Sequence, residues 1–109
     1  MAAIPSTTDD AFEKDVLQAS QPVLVEFGAE WCHPCRQLEP ILVELASEWK
    51  GKVGIFEIDV DANSATTVRY GVMGVPTLVL FVGGADVERL TGYHSKSRIV
   101  DRLAPHLRL

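Results

Sequence analysis

Apolar runs and mixed segments alternate along the chain at two different periods. "PVLVEF" (22–27) is almost continuously apolar, the pattern of a strand covered on both faces. "VGIFEIDV" (53–60) and "PTLVLFV" (76–82) repeat it, so three largely buried strands are predicted. Between the first two, Leu38, Leu42, Leu45 and Trp49 recur at helical spacing, which predicts a long helix from about Cys32 to Trp49. Pro40 lies inside it, where it removes an amide donor and crowds the preceding turn, so a kink is expected. Gly51 is the stop signal. Phe12, Val16 and Leu17 share a face behind the N-cap candidates Thr7, Thr8, Asp9 and Asp10, predicting an earlier helix. A short helix is expected around 64–70, ended by Gly71. Gly83-Gly84 stands between the third strand and "VERLT" (87–91), as in a tight antiparallel hairpin. Ser95 caps a last helix whose apolar face is Ile99, Val100, Leu103 and Leu107. Strand and helix alternating first, then a hairpin and a helix, imply an α/β fold with a central mixed β-sheet flanked by helices on both faces.

Composition narrows the function classes. At 109 residues the chain is expected to form a single domain over 1–109 with its own core. A net charge of −5, with no run of Lys or Arg, argues against a nucleic-acid partner, because phosphate binding needs clustered positive charge. "MAAIPSTTDD" has neither the basic start nor the apolar stretch of a signal peptide, and no uncharged run is long enough to span a bilayer. Only two cysteines are present, too few for a disulfide scaffold. A soluble, cytoplasmic monomer without a membrane partner is the expectation.

Both cysteines fall in "EWCHPCR" (30–36). A bare C-x-x-C spacing also occurs in zinc sites. Zinc, however, takes about four ligands, and His33 cannot readily join its two neighbours in a tetrahedron, while His94 and His106 are distant in sequence. A purely structural disulfide would close a loop of only about four residues and constrain little of the unfolded chain. Redox chemistry is the better account. Cys32 follows a buried strand and opens a helix, where unpaired amides and the macrodipole favour a thiolate. Residues three apart on a first helical turn lie on one side, at a spacing a disulfide bridges. Pro34 suits that turn, since its missing N–H costs nothing there. Cys32 would then attack a substrate disulfide, and Cys35 would resolve the mixed disulfide.

"VLVEFGAEWCHPCR", "IDVDAN", "YGVMGVPTLVLF" and Gly92 before the last helix together resemble the thioredoxin family, over about Ile4 to Leu107. The resemblance implies a central mixed sheet with flanking helices. It also implies an activity, the reduction of protein disulfides with electrons from a thioredoxin reductase and without a bound cofactor. Cys32 would be the nucleophile and Cys35 the resolving, more buried thiol. Pro76 would follow a cis bond to Val75 and face the cysteines, leaving the Val75 backbone free to pair with an extended substrate. Trp31, Met73, Gly74, Val75 and Gly92 would form a flat apolar docking patch; for Trp31 the plainer alternative is core filler.

The chain departs from the family at several places. His-Pro stands between the cysteines where Gly-Pro is usual, Glu26 replaces Asp, Gly28 replaces Trp, Glu57 replaces Lys and Arg36 replaces Lys. The usual first strand is weakened by Pro5, Ser6 and Thr7, so it should be short or absent. Alternation puts Glu26 on the face of Leu24, opposite Val23, Val25 and Phe27. By resemblance Glu26 would lie beneath the cysteines and move the proton of the resolving thiol, with a pKa raised by desolvation. The alternative is a carboxylate that reaches solvent at the sheet end. Glu57 shares a face with Val53 and Ile55, and if it approached Glu26 the like charges would raise at least one pKa further. His33, when protonated, would stabilise the Cys32 thiolate and make the couple more oxidising by about tens of millivolts; a solvent-facing His33 would do little. His33, Pro34 and Pro76 are thus the expected tuning residues, while His94 and His106 are expected at the surface without a task. Gly28 is expected to loosen the loop before the active site, so that Gly28→Trp would raise stability. Two rivals to a reductase remain: an oxidising or isomerase-like protein driven by His33, and a binding module using the Trp31–Val75 groove.

Overall fold

The computed structural model describes residues 4–109. Its sheet contains β1 (Val23–Gly28), β2 (Gly54–Asp59), β3 (Thr77–Val82) and β4 (Ala85–Thr91), in the order β2-β1-β3-β4. β1 runs parallel to β2 and antiparallel to β3, and β3 runs antiparallel to β4, so the sheet is mixed as its sequence pattern implied. Every residue of the central strand β1 is buried, consistent with its unbroken apolar run. Two glycines make the β3–β4 turn, with φ +60° at Gly83 and +84° at Gly84, the left-handed pair that a two-residue hairpin loop favours.

Helix α1 spans His33–Glu48, with Cys32 as its N-cap and Trp49 as its C-cap, and it continues through Pro40. α2 covers Ser64–Arg69 and α3 covers Lys96–Leu103. Ser95 caps α3 by accepting the Arg98 N–H at 3.2 Å. That helix is shorter than its apolar periodicity suggested. Beyond Leu103 the chain tightens into a 3₁₀ turn at Ala104–His106, because Pro105 has no N–H to continue an α-helix, and Leu107 is extended.

Two apolar layers sandwich the sheet. One gathers Leu24, Leu78 and Leu80 with Leu38, Leu42 and Leu45 of α1 and Ile99 and Leu103 of α3. The other gathers Val23, Val25, Phe27, Val79 and Phe81 with Phe12, Val16 and Ile58. Phe12, Tyr70 and Phe81 pack there as three mutually tilted or edge-on rings, with centroids 5.1 to 5.6 Å apart.

The N-terminal segment differs from expectation. In place of a regular helix, Glu13–Leu17 form a single π-helical turn, in which Gln18 N–H reaches the Glu13 carbonyl at 2.9 Å. Its first residue has no side-chain cap. Asp9, read as a cap for that helix, instead accepts the N–H groups of Thr66 at 2.9 Å and Ala65 at 3.3 Å, so it caps α2 across the fold. These bonds span 56 and 57 positions, beyond the reach of a local capping rule. The weakened first strand survives as one parallel bridge, Ser6 to Glu57, on the outer edge of β2. Thr7 N–H donates to the Glu57 carbonyl at 2.8 Å, and Glu57 N–H to the Pro5 carbonyl at 2.9 Å.

Candidate active site

The strand-to-helix turn between β1 and α1 carries both cysteines. At its end the backbone of Cys32 is extended (φ −87°, ψ 106°) and turns helical at His33. This geometry leaves the first-turn amides unpaired, and Cys32 Sγ accepts one of them, the Cys35 N–H, at 3.2 Å. The two residues form a disulfide across a Cα–Cα separation of 5.3 Å, well inside the range a disulfide spans. His33 and Pro34, the first two helical residues, are both exposed. Among the described residues no group of three His, Cys, Asp or Glu side chains is arranged to hold a metal ion.

Burial of the couple corrects one expectation. Cys35 was to be the more buried thiol, yet it is 8% exposed and Cys32 is 3% exposed. The cause is Gly28. A cavity of about 470 Å³ opens beside β1 and is lined by Glu26, Gly28 and Cys35, so Cys35 is approached from behind. A Cβ placed on Gly28 would lie 3.3 Å from Cys35 Sγ and 3.4 Å from Glu26 Oε2. Gly28 is also not part of a loop. It ends β1 in register with Asp59, and its carbonyl accepts the Val60 N–H at 2.9 Å. The turn at 29–32 that leads to the cysteines begins directly after it.

Glu26 points into that space. The 24, 26, 28 alternation sets it on the α1 side of the sheet, and it is only 5% exposed. Its Oε2 atom has no hydrogen-bond partner among the described residues. Burial first, then the charges of Glu57 and Glu39, push its carboxyl up to about 7. Glu57 is its register partner on β2, and burial followed by the Glu39 charge raises the Glu57 carboxyl as well. The reading in which Glu26 reaches solvent at the sheet end is thereby excluded.

A second cluster lies at the β3 end. The Val75–Pro76 bond is cis. The Pro76 carbonyl accepts the Gly92 N–H at 2.7 Å, and Gly92 has φ +87°. Thr77 Oγ1 donates to the Gly74 carbonyl at 2.7 Å. Met73 is 98% exposed and Trp31 is 66% exposed, so Trp31 is not core filler. Its indole N–H donates to Asp61 Oδ2 at 2.7 Å. Sequence reasoning gave no role to Asp61, which lies 30 positions away within the "IDVDAN" stretch. It also missed Glu39, whose place one turn beyond Cys35 was the available signal. His94 and His106 lie at the surface, each half-buried. His94 Nε2 lies 3.0 Å from the Thr91 carbonyl, and His106 Nε2 lies 3.2 Å from Glu88, which Arg102 also holds.

Residues 3–105 match the family model described as Thioredoxin. The chain belongs to the thioredoxin family. It is 44% identical over 97 residues to the thioredoxin of Streptomyces clavuligerus, covering 89% of this chain and 90% of that one. It is 37% identical over 107 residues to the thioredoxin of a Synechocystis species, covering 98% and 100% respectively. To the thioredoxin of Pseudomonas aeruginosa it is 44% identical over 96 residues, covering 88% and 89%. With the Cys32–Cys35 couple in bonding geometry, this thioredoxin-family chain is a thiol–disulfide oxidoreductase, a protein-disulfide reductase that works through that pair.

Proposed function

We propose that Cys32 attacks the substrate disulfide as a thiolate, that Cys35 resolves the resulting mixed disulfide, and that Glu26 takes the Cys35 proton as it does so. The observation carrying this division of labour is the place of Cys32 as the N-cap of α1, with its sulfur already accepting the Cys35 N–H. The same donor and the helix dipole stabilise negative charge on Cys32 and none on Cys35. Glu26 suits proton transfer because a group titrating at about 7 both accepts and releases a proton at neutral pH. His33 and Pro34 flank the reacting sulfur, and a protonated His33 favours the thiolate and hence the reduced form.

The substrate is read as an extended segment of an oxidised protein, laid against Trp31, Met73, Gly74, Val75 and Gly92 and next to Pro76. The exposure of Trp31 and Met73 supports that patch. Electrons are taken from a thioredoxin reductase, so the couple needs no bound cofactor. A cytoplasmic monomer acting without nucleic-acid or membrane partners completes this reading, consistent with the net charge of −5 and with two cysteines that are both committed to the couple.

Paired serine variants test the assignment. Cys35→Ser should accumulate a covalent adduct with a disulfide substrate, seen as added mass that a strong reductant removes. Cys32→Ser should form no such adduct and should lose disulfide reduction altogether. Adducts that form through Cys35 in the Cys32→Ser protein would reverse the two roles.

A further inference from the structure

Thr77 and Gly92 hold the far end of the 71–76 segment, through the carbonyls of Gly74 and Pro76. Its near end has an anchor of a different kind. Helix α2 stops at Tyr70, and Gly71 turns the chain out of it with φ +63°. Carbonyl groups at such an end have no donor within the helix. Arg89 on β4 supplies two, since its Nη2 donates to the Tyr70 carbonyl and its Nη1 to the Gly71 carbonyl at 3.4 Å. These bonds cross 19 and 18 positions of the chain. Arg89 is itself fixed in place. Its register partner is Val79 on β3, which sets the half-buried side chain on the face of the Phe12, Tyr70 and Phe81 rings. Its N–H donates to Glu88 Oε2 at 3.3 Å and its carbonyl accepts Arg102 Nη2 at 3.1 Å, so α3 braces the strand from which it reaches.

We propose that Arg89 is a positioning residue for protein substrates: its guanidinium fixes the start of the 71–76 segment, so that Met73, Gly74 and Val75 meet an extended chain in one arrangement. The inference rests on the docking patch proposed above. A guanidinium presents its N–H groups in a planar fork, which suits two successive carbonyls and fixes direction as well as position. Both bonds fall on the segment and not on the sheet, where the β3–β4 ladder already orders β4. The segment needs such an anchor, because Gly71, Met73 and Gly74 are exposed and gain little order from packing. A surface ordered before its partner arrives loses less conformational entropy on docking. The side-chain bonds of Arg89 reach Tyr70 and Gly71 and neither cysteine, so its removal acts on docking and leaves the sulfur chemistry as it is.

The test compares two substrates of the reduced protein: insulin, whose disulfides sit in a folded chain, and hydroxyethyl disulfide, which is too small to lie along the patch. Arg89→Met keeps an apolar stem on the aromatic face and removes the donors. It should raise the half-saturating insulin concentration by about fivefold or more. The limiting rate, the rate with hydroxyethyl disulfide and the reduction potential should stay as in the wild type. Arg89→Lys, which keeps a charged donor but not the fork, should fall between the two proteins. A wild-type response to insulin in Arg89→Met, an equal loss with both substrates, or an Arg89→Lys protein no better than Arg89→Met overturns the proposal. Arg89→Lys carries the test alone if Arg89→Met does not fold: an insulin-specific loss supports the role, and none overturns it. Met73→Ala separates this inference from the docking reading beneath it. A loss with insulin in Met73→Ala but not in Arg89→Met sinks Arg89 alone, whereas no loss in either sinks both. A loss in Arg89→Met without one in Met73→Ala keeps Arg89 and assigns the docking to the backbone of the segment.

Discussion

Val23, Val25 and Phe27 point from β1 into one layer of the molecule, and Leu24, Glu26 and Gly28 face the other. All six residues are buried, and all six share the same strand ladder. The first face meets Phe12, Val16 and Phe81 in a continuous apolar layer. The second begins in the same way at Leu24, against α1 and α3, then turns into a buried carboxyl, one oxygen of which has no partner among the described residues, and a glycine beside Cys35. Burial is thus a property of the strand, whereas chemistry belongs to one end of one face. Two positions along from a dry leucine, the Glu26 carboxyl is pushed up to about 7, first by burial and then by the charges of Glu57 and Glu39.

The strongest way to break this contrast is to damage the apolar face. Phe27→Ala should lower unfolding stability by about 3–5 kcal/mol, since the ring is fully buried and its neighbours cannot close the space. Denaturant unfolding of the oxidised protein measures this, and a loss below about 1 kcal/mol would show that the layer repacks freely.

Glu26→Gln probes the other face with a smaller, pH-dependent effect. The folded protein holds the Glu26 proton up to about 7, against an ordinary value of 4.5, so the folded state binds that proton more tightly than the unfolded chain does. Wild-type stability should therefore fall as pH rises from 4.5 through about 7 and level off above it. Glutamine, which does not ionise, should escape this loss. The difference between the two proteins should grow from near zero in acid to about 3 kcal/mol in mild alkali, following the size of the shift. A difference that stays flat with pH would mean that Glu26 is solvated in the folded state.

Gly28→Ala gives the smallest effect on stability. The added methyl meets Cys35 Sγ at 3.3 Å and Glu26 Oε2 at 3.4 Å, and its crowding offsets the gain in backbone order, for a net change within about 1 kcal/mol. The Glu26 midpoint should nevertheless rise, because the methyl adds apolar contact 3.4 Å from Oε2 and so deepens the burial that disfavours the charged form. An unchanged midpoint would show that the burial of Glu26 is set by its other neighbours.

Much of this layout was legible in the chain. The three apolar runs became β1, β2 and β3 within a residue or two, since a strand covered on both faces has little freedom in where its apolar residues begin and end. The boundaries of α1 followed from Cys32, Trp49 and Gly51 because capping chemistry is local. Glu26 was placed on the correct face by alternation alone. The N-terminal helix was misread for the complementary reason. Asp9 and Thr8 are good caps anywhere, and only the approach of α2 decided that Asp9 would serve Thr66 and Ala65.

Sequence alone thus determined the order of elements, the cysteine pair at a helix start and the side of the sheet on which Glu26 lies, all of which follow from chain periodicity and near-neighbour bonds. The tertiary structure decided the rest: that burial, then Glu57 and Glu39, raise the Glu26 carboxyl, that Asp61 holds Trp31, and that a cavity lies beside Glu26, Gly28 and Cys35. Each of these depends on the distance between groups far apart in the chain or on space that no residue fills. Such distances and volumes are set by how the sheet and helices pack together, and no local pattern of residues records them.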